Sequence, residues 1–200
     1  AEQTIALMLI LARHLYPAIA SLKAGRWEKS KLQGSEVKGK TLGLVGLGRI
    51  GTLVASKAKG LEMRVIAYDP YVAPEAMAER GVEAVSLEEL AARSDYVSCH
   101  LPLNARTRGL LDARFFARMK PSAYFINTSR GAVVNEADLV AALQQGLIAG
   151  AGLDVFEREP IPPEHPLCRL ENVILTPHSA SWADATFEAL HRRVSEAALT

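Results

Sequence analysis

The chain has little of what marks the specialised classes of protein. Only two of its 200 residues are cysteines, Cys99 and Cys168. That is too few for a disulfide framework, so a reducing setting is expected. Cys99 lies in an apolar run and reads as a small core residue, whereas Cys168 falls in a loop. No Cys or His spacing matches a metal site, and no metal is expected. The formal net charge is +1, which gives no electrostatic reason to expect nucleic acid or an anionic membrane as a partner. The longest apolar run, Ile5 to Ala12, is too short to span a bilayer. Glu2 stands where a signal peptide would carry positive charge. The expectation is a soluble, cytoplasmic protein. No internal repeat or low-complexity segment interrupts the chain. With 49% hydrophobic and 22% charged residues, it has the composition of an ordinary globular domain with a sizeable core.

What is present is organised around Thr41 to Gly51, TLGLVGLGRIG. An apolar run that reads as a buried parallel strand breaks into Gly46, Gly48 and Gly51, a G-x-G-x-x-G pattern, and a helix pattern follows from Arg49 to Lys59. In that context the glycines mean a dinucleotide site. Gly46 permits the tight turn, Gly48 lets backbone approach the pyrophosphate, and Gly51 lets helix pack on strand. The helix N-terminus offers free N–H groups to phosphate.

Around this stretch the pattern alternates. Residues 2 to about 24 are expected to form one helix, apolar on nearly all sides and therefore buried on both flanks. Residues 25 to 40 read as a polar, basic arm in which Trp27 makes a packing or subunit contact. Strands are expected at 42–45, 64–68, 82–85, 96–101, 124–127, 149–155 and 173–175. Helices are expected at 49–59, with Ile50, Leu53, Val54 and Ala58 inward, and at 74–80. Ser86 to Glu89 is a capping box opening a helix to Arg93. Further helices are expected at 112–119 and from an Asn135 cap to Gln145, the latter with Leu139, Val140, Leu143 and Leu147 inward. A last one runs from Ala183 to about Ala198. Strands alternating with helices imply an α/β fold, a doubly wound parallel sheet of the Rossmann type.

Asp69 ends the strand after the glycine loop, near the spacing of about 20 residues at which an acidic group binds the adenine ribose 2′-OH. Pro70 and Tyr71 follow it, with no adjacent Arg or Lys, so NAD is expected over NADP. In such sheets ligands bind beyond the carboxyl ends of the strands. Those ends carry His100-Leu101-Pro102, Asn127-Thr128-Ser129-Arg130-Gly131, Asp154 with Glu157 and Glu159, and Pro177-His178-Ser179-Ala180-Ser181. Reducing a 2-oxo acid calls for such a set. An Arg grips the carboxylate and polarises the carbonyl, a His exchanges the proton, and a carboxylate stabilises the imidazolium. His100 reads as structural or as a cofactor-edge contact rather than a base, and His165 and His191 read as surface residues.

At these residues the chain resembles the NAD-binding domain of the D-isomer-specific 2-hydroxyacid dehydrogenases, which include D-3-phosphoglycerate, D-lactate, glycerate and hydroxypyruvate enzymes. The matching stretches are GLVGLGRIG, YDP at 68–70, SRG at 129–131, AGLDVFEREP at 151–160 and LTPHSA at 175–180. The resemblance implies that Arg130 binds the substrate carboxylate and carbonyl. It implies that His178 is the general acid/base and that Glu159, rather than the neighbouring Glu157, is its partner. Asp154 is implied to hold the nicotinamide carboxamide. Gly46, Gly48, Arg49, Ile50 and Gly51 are implied to line the pyrophosphate, with Asp69 on the ribose. Leu101, Pro102, Thr107, Thr128, Ser129, Arg130, His178 and Ser181 are implied along the rest of the cofactor. Trp182 stands where many members have something smaller, and narrows the pocket, covers it or packs under the last helix.

The family has a second, substrate-binding domain, largely absent from this sequence. The expected division is therefore a connecting helix and arm at 1–40 for the domain junction and a homodimer contact, the NAD-binding domain at 41–182, and a truncated C-terminal helix at 183–200. Three functions fit. The first is reversible hydride transfer between NAD(H) and a small 2-hydroxy/2-oxo acid, the chain alone being inactive. The second is an NAD(H)-responsive binding protein of the corepressor type on the same fold. The third is an inert cofactor-binding fragment.

Overall fold

Seven strands form one sheet: β1 Thr41–Val45, β2 Arg64–Tyr68, β3 Glu83–Ala84, β4 Tyr96–Cys99, β5 Tyr124–Asn127, β6 Gly150–Leu153 and β7 Val173–Leu175. The computed structural model describes residues 1–184. The helix expected from Ala183 onward lies almost wholly outside the described residues. Every strand pair is parallel, in the order β3-β2-β1-β4-β5-β6-β7. The chain builds outward from β1 to β3, then restarts at β4 on the other side of β1 and builds outward again. The order therefore reverses between β1 and β4, the place where doubly wound sheets open a crevice.

The described residues form seven α-helices, α1 Glu2–Ala12, α2 Leu15–Lys23, α3 Arg49–Gly60, α4 Pro74–Glu79, α5 Leu87–Arg93, α6 Ala113–Phe116 and α7 Glu136–Gln144, and helices lie on both faces of the sheet. A sheet covered on both faces needs apolar residues on both, which is why these strands read as unbroken apolar runs. On one side Leu42 and Leu44 of β1 meet Leu7, Met8 and Leu11 of α1 and Val54, Ala55 and Ala58 of α3. On the other, Val45, Val97 and Phe125 meet Leu90 of α5, Phe115 and Phe116 of α6, and Leu139 and Leu143 of α7. Phe116 packs edge-on to Phe125 with ring centroids 5.4 Å apart. The Ser86 capping box is formed in full, with Ser86 Oγ accepting from the Glu89 N–H and Glu89 accepting from the Ser86 N–H.

Three sequence expectations need correction. The single helix over 2–24 is two helices, bent by 66° at the break, with His14 in the left-handed region at φ 49. Pro17 explains the break. In a continuous helix its ring would strike the Arg13 carbonyl, and it has no N–H to offer that carbonyl. As a result α1 buries Leu7, Met8 and Leu11, while α2 leaves Leu15, Tyr16, Ile19 and Leu22 exposed. In α3 the inward face is Gly51, Val54, Ala55 and Ala58; Ile50 and Leu53 are exposed. The period is helical, as expected, but the phase is shifted so that Gly51 can meet the glycine loop. After α7, Leu147 is exposed beyond the helix end, and Ala142 joins Leu139 and Leu143 in the core. Among the described residues no single helix is long and apolar enough to cross a membrane.

The register sets the site. Val45 pairs with Tyr68 and with Cys99, Cys99 with Asn127, Asn127 with Leu153, and Leu153 with Leu175. These are the last residues of six strands, so six strands stop on one level. The next residue of each, Gly46, Asp69, His100, Thr128, Asp154 and Thr176, opens onto the same rim.

Candidate active site

The glycine loop leaves β1 with Gly46 at φ +101, a conformation that a side chain rarely adopts. Its N–H donates to the Tyr68 carbonyl at 2.8 Å. A Cβ on Gly51 would lie 2.3 Å from the Gly46 carbonyl oxygen, so only glycine lets α3 close against the loop. Gly48 differs, because a Cβ there would meet no atom of the chain within 4 Å. The protein itself does not require glycine at 48, but a ligand approaching that backbone would. Gly48 is also the N-cap of α3 and brings no side chain to its first turn, whose N–H groups and dipole favour an anion. Arg49 and Ile50 are exposed on that turn. This cradle fits a dinucleotide pyrophosphate.

Asp69 holds the loop from the other side. Its Oδ2 accepts the Leu47 N–H at 2.8 Å and its Oδ1 the Tyr71 N–H at 2.9 Å. Asp69, Leu101, Pro102 and Thr107, expected along the cofactor, line one cavity of about 490 Å³ with Tyr68, Tyr71, Asn104 and Arg106. Leu101 is buried under the glycine loop. The Thr107 hydroxyl is committed to its own turn, donating to the Pro102 carbonyl at 2.6 Å and accepting the Asn104 N–H at 2.9 Å. Tyr71, Asn104 and Arg106 were not among the sequence-derived residues. Arg106 carried no local signal, since it meets Tyr71 across a separation of 35 residues.

His100 backs the glycine loop from β4. Its Nε2 and Ser98 Oγ are 2.9 Å apart. Burial pushes its pKa down to about 3. The burial favours the neutral imidazole. Burial pushes the Cys99 thiol up, which leaves it unreactive.

The chemistry-bearing residues stand beyond β5, β6 and β7. Buried Asn127 shapes the first loop, its amide donating to the Arg130 carbonyl and its carbonyl oxygen accepting the Ser129 N–H and hydroxyl. Arg130 is exposed there, one Nη donating to the Ser129 carbonyl at 2.6 Å. A Cβ on Gly131 would lie 1.9 Å from the Phe156 carbonyl carbon. Glycine at 131 thus brings the Arg130 loop onto the segment that carries Glu159. Thr128 is anchored by Thr4 of α1, with hydroxyls 2.8 Å apart.

Glu159 Oε2 lies 2.7 Å from His178 Nδ1, and its Oε1 accepts the Phe156 N–H at 3.0 Å. Burial acts to raise the Glu159 pKa, but the bonds from His178 and Phe156 outweigh it and hold the carboxyl below its ordinary value. His178 adopts φ 51, costly for a residue with a side chain. Its N–H points to the Asp154 and Thr176 carbonyls at 2.8 and 3.0 Å. The fully buried Asp154 carboxylate accepts from the Thr176 hydroxyl, the Ser179 N–H and hydroxyl, and the Ala180 N–H. The side chain expected at the nicotinamide also anchors the loop that carries His178. Ser181 and Trp182 are exposed at the end of that loop. Glu157 is exposed, and its N–H donates to Glu136.

His165, expected at the surface, is half-buried, its Nε2 3.2 Å from Glu136 and its Nδ1 accepting the Leu167 N–H. His191 lies outside the described residues. Among the described residues no group of His, Cys, Asp and Glu is arranged to hold a metal ion.

Residues 5–180 match the family model described as D-isomer specific 2-hydroxyacid dehydrogenase, NAD binding domain. The chain is 45% identical over 181 residues to a D-3-phosphoglycerate dehydrogenase of Archaeoglobus fulgidus, covering 90% of this chain and 34% of that one. It is 44% identical over 200 residues to a glyoxylate reductase of Korarchaeum cryptofilum, covering 98% and 60%. Among solved structures it is similar to D-lactate dehydrogenase from Aquifex aeolicus complexed with NAD and lactic acid. There the TM-score is 0.91 and the identity 32%, over 98% of this chain and 64% of that one. The chain thus spans from about a third to three fifths of the length of these curated relatives.

Proposed function

The chain belongs to the D-isomer-specific 2-hydroxyacid dehydrogenase family through its NAD-binding domain, and from that premise we propose that it serves reversible hydride transfer between NAD(H) and a small 2-hydroxy/2-oxo acid. The observation that carries the reading is the His178–Glu159 contact at 2.7 Å, on a segment packed against the Arg130 loop. NAD(H), when bound, supplies or accepts the hydride. The residues of this chain do the rest. Arg130 presents a planar fork to the substrate carboxylate and places positive charge by the carbonyl oxygen as it gains electron density. With Nδ1 held by Glu159, the Nε2 of His178 exchanges the proton with that oxygen, giving it during reduction and taking it back during oxidation. Glu159 stabilises the imidazolium and fixes the ring. Gly46, Gly48, Arg49, Ile50 and Gly51 cradle the pyrophosphate, and Asp69 accepts from the ribose. Leu101, Pro102, Thr107, Thr128, Ser129 and Ser181 line the remainder. Asp154 holds the nicotinamide carboxamide, beside the His178 loop that it also anchors.

Named relatives include D-3-phosphoglycerate dehydrogenase, glyoxylate reductase and a D-lactate dehydrogenase bound to lactic acid, and small 2-hydroxy acids are the substrate class we assign. A homodimer is part of the proposal, supported by the exposed Leu15, Tyr16, Ile19, Leu22 and Trp27. A monomer in sedimentation of the full chain would remove that part. The test of function is NADH oxidation by the full chain with a panel of 2-oxo acids. Turnover is expected to disappear in Arg130→Ala and His178→Ala. Unchanged turnover in either would overturn the assignment.

A further inference from the structure

Asp69 shares its cavity with a cation from another loop. The charged groups lining the 490 Å³ cavity are one carboxylate, Asp69, and one guanidinium, Arg106. Arg106 belongs to the turn after β4 and is exposed. Its Nη1 donates to the Tyr71 hydroxyl at 3.1 Å, and the Tyr71 N–H donates to Asp69 Oδ1. Tyr71 thereby links the Arg106 turn to the Asp69 loop, and a hydroxyl acceptor does not neutralise the guanidinium charge.

From this arrangement we infer that Arg106 receives the 2′-phosphate of NADP, so that the site takes NADP as well as NAD. The inference rests on the dinucleotide reading of the site given above. A lone carboxylate at the end of β2 excludes the extra phosphate by repulsion. Here the lining carries both signs, and the Asp69 oxygens already accept two backbone N–H groups, which spreads the negative charge. A guanidinium fork matches phosphate in geometry and charge. The bond that Arg106 would give up, exposed and made to a neutral hydroxyl, is weak beside a charge-assisted one to phosphate. NAD remains the tighter ligand because Asp69 accepts from its free ribose hydroxyl. Arg106 sets how large that margin is.

The test is equilibrium binding of NAD and NADP to the full chain by isothermal titration calorimetry, with wild type, Arg106→Ala and Arg106→Lys. Wild type is expected to bind both. In Arg106→Ala the ratio of the NADP to the NAD dissociation constant rises about tenfold, and Arg106→Lys recovers part of the change because it keeps the charge. Added salt weakens NADP binding more than NAD binding. NAD binding by wild type without NADP binding overturns the inference. So does a ratio unchanged in Arg106→Ala. Binding of neither dinucleotide by wild type overturns the dinucleotide reading itself, a result distinct from both.

Discussion

Glu159 Oε2 and His178 Nδ1 lie 2.7 Å apart across a separation of 19 residues. An ionised Glu159 accepts from Nδ1–H, which leaves Nε2 as the ring nitrogen for the proton exchange proposed above. The pair is partly open to solvent, with side-chain exposures of 45% for His178 and 36% for Glu159. That exposure is compatible with the proposed role, which needs access to substrate.

Replacing Glu159 by Gln should lower kcat for 2-oxo acid reduction by roughly a hundredfold, the low end of what positioned acid–base catalysis supplies. The dinucleotide dissociation constant should change much less. The pH dependence follows from the depressed pKa of Glu159. Burial alone would raise it, and the bonds from His178 and Phe156 bring it below the ordinary carboxylate range. A carboxylate depressed on folding contributes fully above its unfolded pKa, about 4.3, and loses the contribution as pH falls through the lower folded value. A pH–rate profile should therefore show no limb from Glu159 above about pH 5. A carboxylate limb nearer neutrality would contradict the depressed value.

Arg130→Lys should keep the positive charge but lose the planar fork. We expect kcat/KM for the oxo acid to fall about a hundredfold, with a smaller change in NAD affinity. Steady-state kinetics beside a cofactor titration separates the two. An Arg130→Lys enzyme with native kcat/KM would show that charge alone suffices at this position.

A methyl group at 131 has no room. In Gly131→Ala the new Cβ would lie 1.9 Å from the Phe156 carbonyl carbon and 2.5 Å from the Glu157 nitrogen, so the segment leading to Glu159 must move. Urea denaturation should show a loss of about 1–3 kcal/mol, the usual cost of overpacking. Activity should fall further than the unfolded fraction explains, because Glu159 moves with that segment.

His100 supplies a pH signature of stability rather than of catalysis. Its folded pKa is pushed down to about 3, chiefly by burial, against about 6.5 unfolded. The unfolded chain therefore binds the extra proton between those values. Stability is fully present above pH 6.5 and declines as pH falls toward 3. Between pH 7 and 5 the loss should be about 1–2 kcal/mol. His100→Gln should flatten that part of the dependence in urea titrations. Equal slopes for wild type and variant would mean that the imidazole protonates freely in the folded state.

Much of the fold was legible because it is written locally. β2, β5 and β7 occupy the residues expected from apolar runs ended by Asp-Pro, Thr-Ser and Thr-Pro. The Ser86 and Asn135 caps form as spaced, since a cap and its N–H partners lie within one turn. Period without phase was the recurring weakness. The spacing in α3 showed that a face is buried, yet the contact of Gly51 with the Gly46 carbonyl decided which face, leaving Ile50 and Leu53 outside. Pro17 marked the break after α1 locally, but the apolar run on either side masked it.

The sequence by itself determined the alternation of strand and helix, the glycine turn, and the presence of Asp69, Arg130, Asp154, Glu159 and His178 at or beyond strand ends. Each of these depends on neighbours in the chain. The tertiary structure alone decided that six strands end on one level, which follows from hydrogen-bond register between segments far apart in sequence. It also decided that the Asp154 carboxylate anchors the His178 loop and that Arg106 shares a cavity with Asp69. Side chains on separate loops meet only once the sheet has set the distance between them, and no spacing along one chain encodes that distance.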